Sequence, residues 1–186
     1  MKTLYIIAGC NGAGKTTASY TVLPEIWKCK EFVNADEIAR GLSPFNPEGV
    51  AIEADRLMLQ RINQLLDMDG SFSIETTLST RSYVKLIDKA HEKGFEVRLL
   101  FFWLNSPEAA IKRVAKRVSE GGHNIPREVI IRRYNLGIQN LFNLFMEKVD
   151  SWMLIDNSQN PRVIVADDSK IYNQELYKTI KSYVKK

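Results

Sequence analysis

The chain has 186 residues, 45% of them hydrophobic and 26% charged, with two Cys, two His and a formal net charge of +4. Such a length suits one domain with a sizeable core, and the aromatic content with few Gly and Pro argues against disorder. The sequence excludes a membrane-spanning helix, which needs about 20 consecutive apolar residues, and a disulfide framework or zinc cluster, while +4 is too mild to imply nucleic acid by itself.

In chain order, residues 3–8 (TLYIIA) form an apolar run of β-formers, as expected of a strand buried on both faces of a parallel sheet. With Lys2 and Ile7-Ala8-Gly9-Cys10 this run imitates a lipoprotein export signal. It is shorter than the roughly 7–15 residues of a signal core, so the chain is read as cytoplasmic. A Gly-rich turn follows, then a helix from Lys15 that ends near Pro24. Residues 31–34 (EFVN) predict a second strand, with a helix opening at Ala35 and a Pro-punctuated loop over 41–47. Residues 48–68 predict a long helix whose apolar face includes Ile52, Leu59, Ile62, Leu65 and Leu66. A third strand spans 71–75, and an amphipathic helix over 82–93 ends at Gly94.

Residues 96–104 (EVRLLFFWL) are the strongest buried-strand signal. Pro107 opens a helix running to 119, residues 120–126 (EGGHNIP) break it, and 127–148 are helical again. Strands over 152–156 and 162–166 and a helix over 171–184 complete the chain. Alternating strands and helices predict an α/β fold with a mainly parallel sheet. No repeat or linker interrupts it, so residues 1–186 read as one domain.

Gly9-Cys10-Asn11-Gly12-Ala13-Gly14-Lys15-Thr16 matches G-x-x-x-x-G-K-[ST] directly after a strand and before a helix, the context the motif requires. Glycines let backbone N–H groups turn toward phosphate oxygens, and the helix N-terminus adds its positive dipole end. The nucleotide, ATP or alternatively GTP, is expected on residues 9–17, Thr17 included. Lys15 reaches the β/γ-phosphates and the Thr16 hydroxyl ligates Mg²⁺. Cys10 reads as a small residue whose backbone does the work.

Asp36 follows the end of the second strand, at the sheet edge where ligands gather in parallel α/β folds. A carboxylate there can orient an attacking hydroxyl, or it can simply cap the helix it begins; position alone leaves both open. The segment Glu75-Thr76-Thr77-Leu78-Ser79-Thr80-Arg81 offers a carboxylate and several hydroxyls, which suits a polar acceptor such as a sugar but also a solvated turn. Glu53, on the helix between, faces either the same cleft or solvent.

Residues 112–133 hold seven Lys/Arg against two Glu, a local +5, while the remainder carries 19 basic against 20 acidic residues. Arg113 and Arg117 share one helix face. A Gly-Gly break and a second helix with Arg132 and Arg133 complete what reads as a lid closing over triphosphate, Arg being the side chain that binds phosphate bidentately. His123 lies within the break.

Together these segments resemble the zeta-toxin family of P-loop kinases. The resemblance rests on GCNGAGKT, VNADEIA, SIETTLS, SPEAAIKRVAKRV, GGHNIPREVIIRRY and WMLIDNS, from about residue 4 to 158. N-A-D-x-I-A combined with G-G-H-x-I-P…R-R-Y is far more specific than the loop alone. The resemblance implies sheet order 2-3-1-4-5, transfer of the ATP γ-phosphate to the 3′-hydroxyl of the sugar in UDP-N-acetylglucosamine, and inhibition by an antitoxin protein. It implies that Lys15 and Thr16 serve phosphate and Mg²⁺, that Asp36 is the catalytic carboxylate, that Glu75 and Thr77 hold the acceptor, and that Arg117 contacts phosphate. Larger members carry an Arg two residues past the E-x-T threonine; here that position is Ser79, with Arg81 as the substitute. The second lid arginine falls on His123, Arg132 or Arg133, with Arg133 preferred.

The expected activity is an ATP-dependent kinase acting on a hydroxyl of a small polar acceptor, with neither nucleic acid nor membrane as partner. The alternatives are a metabolic kinase for a free sugar, sugar acid or nucleoside, and a nucleotide-gated nucleic-acid-binding module. Against the latter, no aromatic stacking platform interleaves with the basic residues.

Overall fold

Strand β1 (Thr3–Gly9) is buried at all seven positions, as a near-continuous apolar strand must be when both faces of its sheet are covered. The computed structural model describes residues 1–122 and 124–184. It joins β1 to β2 (Glu31–Val33), β3 (Phe72–Thr76), β4 (Glu96–Trp103), β5 (Ser151–Asp156) and β6 (Val163–Asp167) in one sheet of order β2-β3-β1-β4-β5-β6. The first five strands run parallel, in the order that the family resemblance implies. β6 adds an antiparallel edge strand. β1 lies centrally, in register with β3 from Leu4↔Phe72 to Ala8↔Thr76 and with β4 from Thr3↔Glu96 to Gly9↔Phe102. Parallel pairing brings the carboxyl ends of all five strands to one edge, and the residues after each strand are the ones with chemistry to offer.

The flanking helices are α1 (Lys15–Thr21), α2 (Ala35–Leu42), α3 (Ala51–Leu66), α4 (Tyr83–Glu92), α5 (Pro107–Ser119), α6 (Arg127–Asn140) and α7 (Gln174–Lys181). Asn34, Ser106 and Asn173 cap α2, α5 and α7 by accepting from first-turn N–H groups, each cap being worth about 1 kcal/mol. Tyr5 stacks on Trp27 with ring centroids 4.4 Å apart, and Phe72 meets Phe95 edge-on at 5.4 Å. Among the described residues no helix is long and apolar enough to cross a membrane.

Four local expectations are corrected. Helical structure passes Pro24 in a π turn (Val22–Ile26), where the Trp27 N–H reaches the Val22 carbonyl at 3.1 Å; the wider turn accommodates a residue with no N–H to donate. The next helix opens as a 3₁₀ turn (Pro47–Val50) before α3 begins. On α3 the buried stripe is Ala54, Met58, Ile62, Leu65 and Leu66, whereas Ile52 and Leu59 are 88% and 58% exposed. At about 100° per residue these two fall roughly a quarter-turn from the centre of the stripe, just past its edge. The helix expected through 148 ends as α6 at Asn140 and continues as a π turn (Leu141–Phe145).

Candidate active site

Beyond β1 the chain turns through residues 10–14 into α1. Gly14 caps that helix at φ 81°, a left-handed conformation that costs glycine nothing. Lys15 is only 6% exposed. Its Nζ donates to the Cys10 carbonyl at 3.0 Å and stands 3.5 Å from Glu75 Oε1. The Thr16 hydroxyl donates to Glu75 Oε2 at 2.8 Å. Burial pushes the Cys10 thiol up to about 11, against the lowering influence of Lys15 and Arg113, so Cys10 contributes backbone rather than a reactive thiolate.

Side chains from distant elements clasp this loop. Asn157, just after β5, donates to the Ala13 carbonyl at 2.8 Å. Arg113 on α5 donates to the Asn157 carbonyl at 2.7 Å, and Arg133 on α6 donates to Asn11 Oδ1 at 3.2 Å.

The helix cap after β2 belongs to Asn34, not Asp36: Asn34 Oδ1 accepts from the Asp36 N–H at 2.8 Å. Asn34 Nδ2 donates to Glu75 Oε2 at 3.0 Å. The Asp36 side chain, with no capping bond to make, faces two cavities. One, of about 610 Å³, is bordered by Thr16 and Thr17, by Tyr20 and Arg40, and by Arg117 with the Gly-Gly turn. The other, of about 280 Å³, lies over the end of β3 and is bordered by Lys15, Asn34, Glu75, Thr77 and Ser79. Asp36, Asp55 and Arg133 line both.

Lys15, Thr16, Asp36, Glu75, Thr77, Arg117 and Arg133 are thus gathered at one edge of the sheet. Arg81 is exposed and lines neither cavity, while Ser79 and Thr80 line the smaller one. Of the two adjacent arginines, Arg133 points to the loop and Arg132 is exposed. His123 lies outside the described residues. Glu53 is exposed and borders neither cavity.

Two residues go unnoticed in the sequence reading. Asn34 carries no charge and looks like the end of a strand. Asp55 is the acidic residue α3 contributes, and its signal is position: it follows the buried Ala54 and, though exposed, borders both cavities. Desolvation raises its carboxyl above the usual range, Arg133 lowers it, and Asp36 raises it. A carboxyl raised on folding costs stability once pH exceeds its unfolded value near 3.8. Asp55→Asn is therefore expected to raise the thermal midpoint modestly at pH 7, with the gain vanishing as pH falls to that value. A melting series from pH 3 to 8 measures it.

This fold and site define a kinase-type phosphotransferase of the P-loop class: five parallel strands in order 2-3-1-4-5, a phosphate loop after β1, carboxylates after β2 and near the end of β3, and arginines from α5 and α6. More particularly, residues 1–176 match the family described as Zeta toxin, and the chain belongs to that family. A relative from Haemophilus influenzae, described only as an uncharacterized protein, is 30% identical over 126 residues, 68% of this chain and 88% of its own. Among solved structures, a chain of the AvrRxo1-ORF1:AvrRxo1-ORF2 complex crystallised with sulphate superposes over 100% of this chain with a TM-score of 0.84 at 19% identity. This chain spans 65% of that one's length. A chain of the PezAT toxin–antitoxin system of Streptococcus pneumoniae superposes over 99% of this chain and 78% of its own, with a TM-score of 0.71 at 16% identity.

Proposed function

We propose that this protein is an ATP- and Mg²⁺-dependent kinase that phosphorylates a hydroxyl of a small polar acceptor of the UDP-N-acetylglucosamine type. The observation that carries the reading is the convergence of Asp36 and Arg133 on both cavities, one running to Thr16 and Thr17, the other lined by hydroxyls. An acceptor lying over Thr77 and Ser79 presents its hydroxyl to Asp36, whose carboxylate takes the proton as the oxygen bonds to the γ-phosphorus. The bond from that phosphorus to the β-phosphate oxygen breaks and ADP leaves. Lys15, Arg117 and Arg133 neutralise the charge that spreads over the transferring group.

Thr16 and Glu75 supply oxygen donors 2.8 Å apart beside the loop, a set suited to Mg²⁺ held mostly by phosphate oxygens and water. Among the described residues no group of three or more His, Cys, Asp or Glu could hold a metal without such help. The bound ion would offset charge on the phosphates.

Residues 112–133 serve in this reading as the lid. Arg113, Arg117 and Arg133 bind carbonyls or line a cavity, which favours a kinase over a nucleic-acid footprint. A proteinaceous antitoxin is the expected partner, in keeping with the PezAT system.

The reading is tested by incubating the protein with γ-labelled ATP and a panel of nucleotide sugars, free sugars, sugar acids and nucleosides. Label is expected in UDP-N-acetylglucosamine. Label in a free sugar, sugar acid or nucleoside instead reassigns the acceptor. A preparation that binds ATP but labels nothing overturns the kinase reading.

A further inference from the structure

Asn34 is 6% exposed and spends both ends of its carboxamide on the site. Its oxygen accepts from the Asp36 N–H at 2.8 Å and its nitrogen donates to Glu75 Oε2 at 3.0 Å. The same Glu75 oxygen accepts from the Thr16 hydroxyl, and its other oxygen stands 3.5 Å from Lys15 Nζ. One neutral side chain therefore joins the β3 carboxylate that contacts Lys15 and Thr16 to the backbone that carries Asp36.

We infer that Asn34 is a positioning residue: it holds Glu75 against Thr16 and Lys15 while capping α2, so that the Asp36 carboxylate, relieved of the cap, is left to face the acceptor. The inference rests on the kinase reading proposed above. Capping alone does not explain the choice of residue, because Asp, Ser and Thr cap helices about as well as Asn. Of these caps only Asn carries the acceptor for the helix and the donor for a carboxylate on two separate atoms; a Ser or Thr hydroxyl would have to do both through one oxygen. Asp would cap equally well but would set a like charge 3.0 Å from Glu75 and push it off the loop. Ser would cap without reaching Glu75. The pair Asn34 and Glu75 is also faced by Lys15 from α1, Asp36 from α2, Asp55 from α3 and Arg133 from α6, so a displaced Glu75 has other charges to engage.

The test compares Asn34→Ser and Asn34→Asp with the unaltered protein, reading ADP formation both with the acceptor that the substrate panel identifies and without acceptor, where water takes its place. Asn34→Ser is expected to lower kcat by about 10–100-fold, the cost of letting a supporting group drift by an ångström or so, with the KM for ATP within about threefold. Asn34→Asp is expected to be at least as damaging, although circular dichroism reports an intact fold for both. In a Glu75→Ala background, Asn34→Ser is expected to cost little more, because its effect runs through Glu75. Wild-type turnover by Asn34→Asp would reduce Asn34 to a helix cap and overturn the inference, as would effects of Asn34→Ser and Glu75→Ala that simply multiply. An unaltered protein that binds ATP yet forms no ADP under either condition overturns the kinase reading, and this assignment with it.

Discussion

Asp36→Asn is expected to slow phosphoryl transfer by about 10²–10⁴-fold, the usual contribution of a positioned general base, while ATP affinity stays within about twofold. The substitution isolates chemistry from structure because the α2 cap is Asn34, whose oxygen meets the Asp36 backbone N–H and not its side chain. Asn fills the same volume and keeps hydrogen-bonding capacity, so an acceptor hydroxyl can still be oriented but has nowhere to send its proton. In the proposed reading nucleotide binding depends instead on the loop, Lys15 and Thr16, whose side chains engage the Cys10 carbonyl and Glu75. Single-turnover transfer and equilibrium binding of a fluorescent ATP analogue measure the two quantities separately. A loss of less than about tenfold, roughly 1.4 kcal/mol in barrier height, would remove Asp36 from the proton-transfer step.

Gly9→Ala is expected to destabilise the fold by about 3 kcal/mol or more, out of the roughly 5–15 kcal/mol typical of a domain. Gly9 closes β1 at φ 142°, and a Cβ there would stand 2.3 Å from the Phe102 carbonyl oxygen and 3.2 Å from its carbon. That oxygen belongs to the central β1–β4 pairing, where Gly9 is in register with Phe102. Backbone at the middle of a sheet cannot swing aside as the end of a flexible side chain could. Relief requires parting the strands at the point where the phosphate loop begins, so ATP affinity should fall with stability. Urea denaturation followed by tryptophan fluorescence gives the first quantity and analogue titration the second. An unshifted midpoint would contradict the local geometry described for the end of β1.

Much of the architecture is written in local patterns. The runs at 3–8 and 96–104 become the two central strands β1 and β4 because an apolar stretch of that kind can be satisfied only with both faces covered. The phosphate loop is legible because its glycines, lysine and threonine are contiguous. Asp36, Glu75, Thr77 and Arg133 were reachable through position after a strand and through family resemblance. Less legible is whatever depends on which side of a helix meets the rest of the molecule. Ile52 and Leu59 are apolar enough to suggest core, yet the stripe of α3 is narrower than their placement requires. The same rotation puts Asp55, not Glu53, beside Asp36. Asn34 was invisible for another reason: its importance lies in two hydrogen bonds made at once, one of them to a residue 41 positions away in sequence, and no composition or spacing rule encodes that.

The position of β1 also sets the order in which the molecule can be made. Its partners begin at Phe72 and Glu96, so β1 leaves the ribosome before both neighbours and waits for them. At about 5–20 residues per second the wait for the second is roughly 5–20 s. Until then a seven-residue apolar segment has no sheet to enter, and the phosphate loop attached to it has no Glu75, Arg113 or Arg133 to shape it. Nascent chains stalled before residue 96 should therefore lack nucleotide binding and lean on chaperones. A protein of this design cannot shape its phosphate loop until the strands on both sides of β1 have been made.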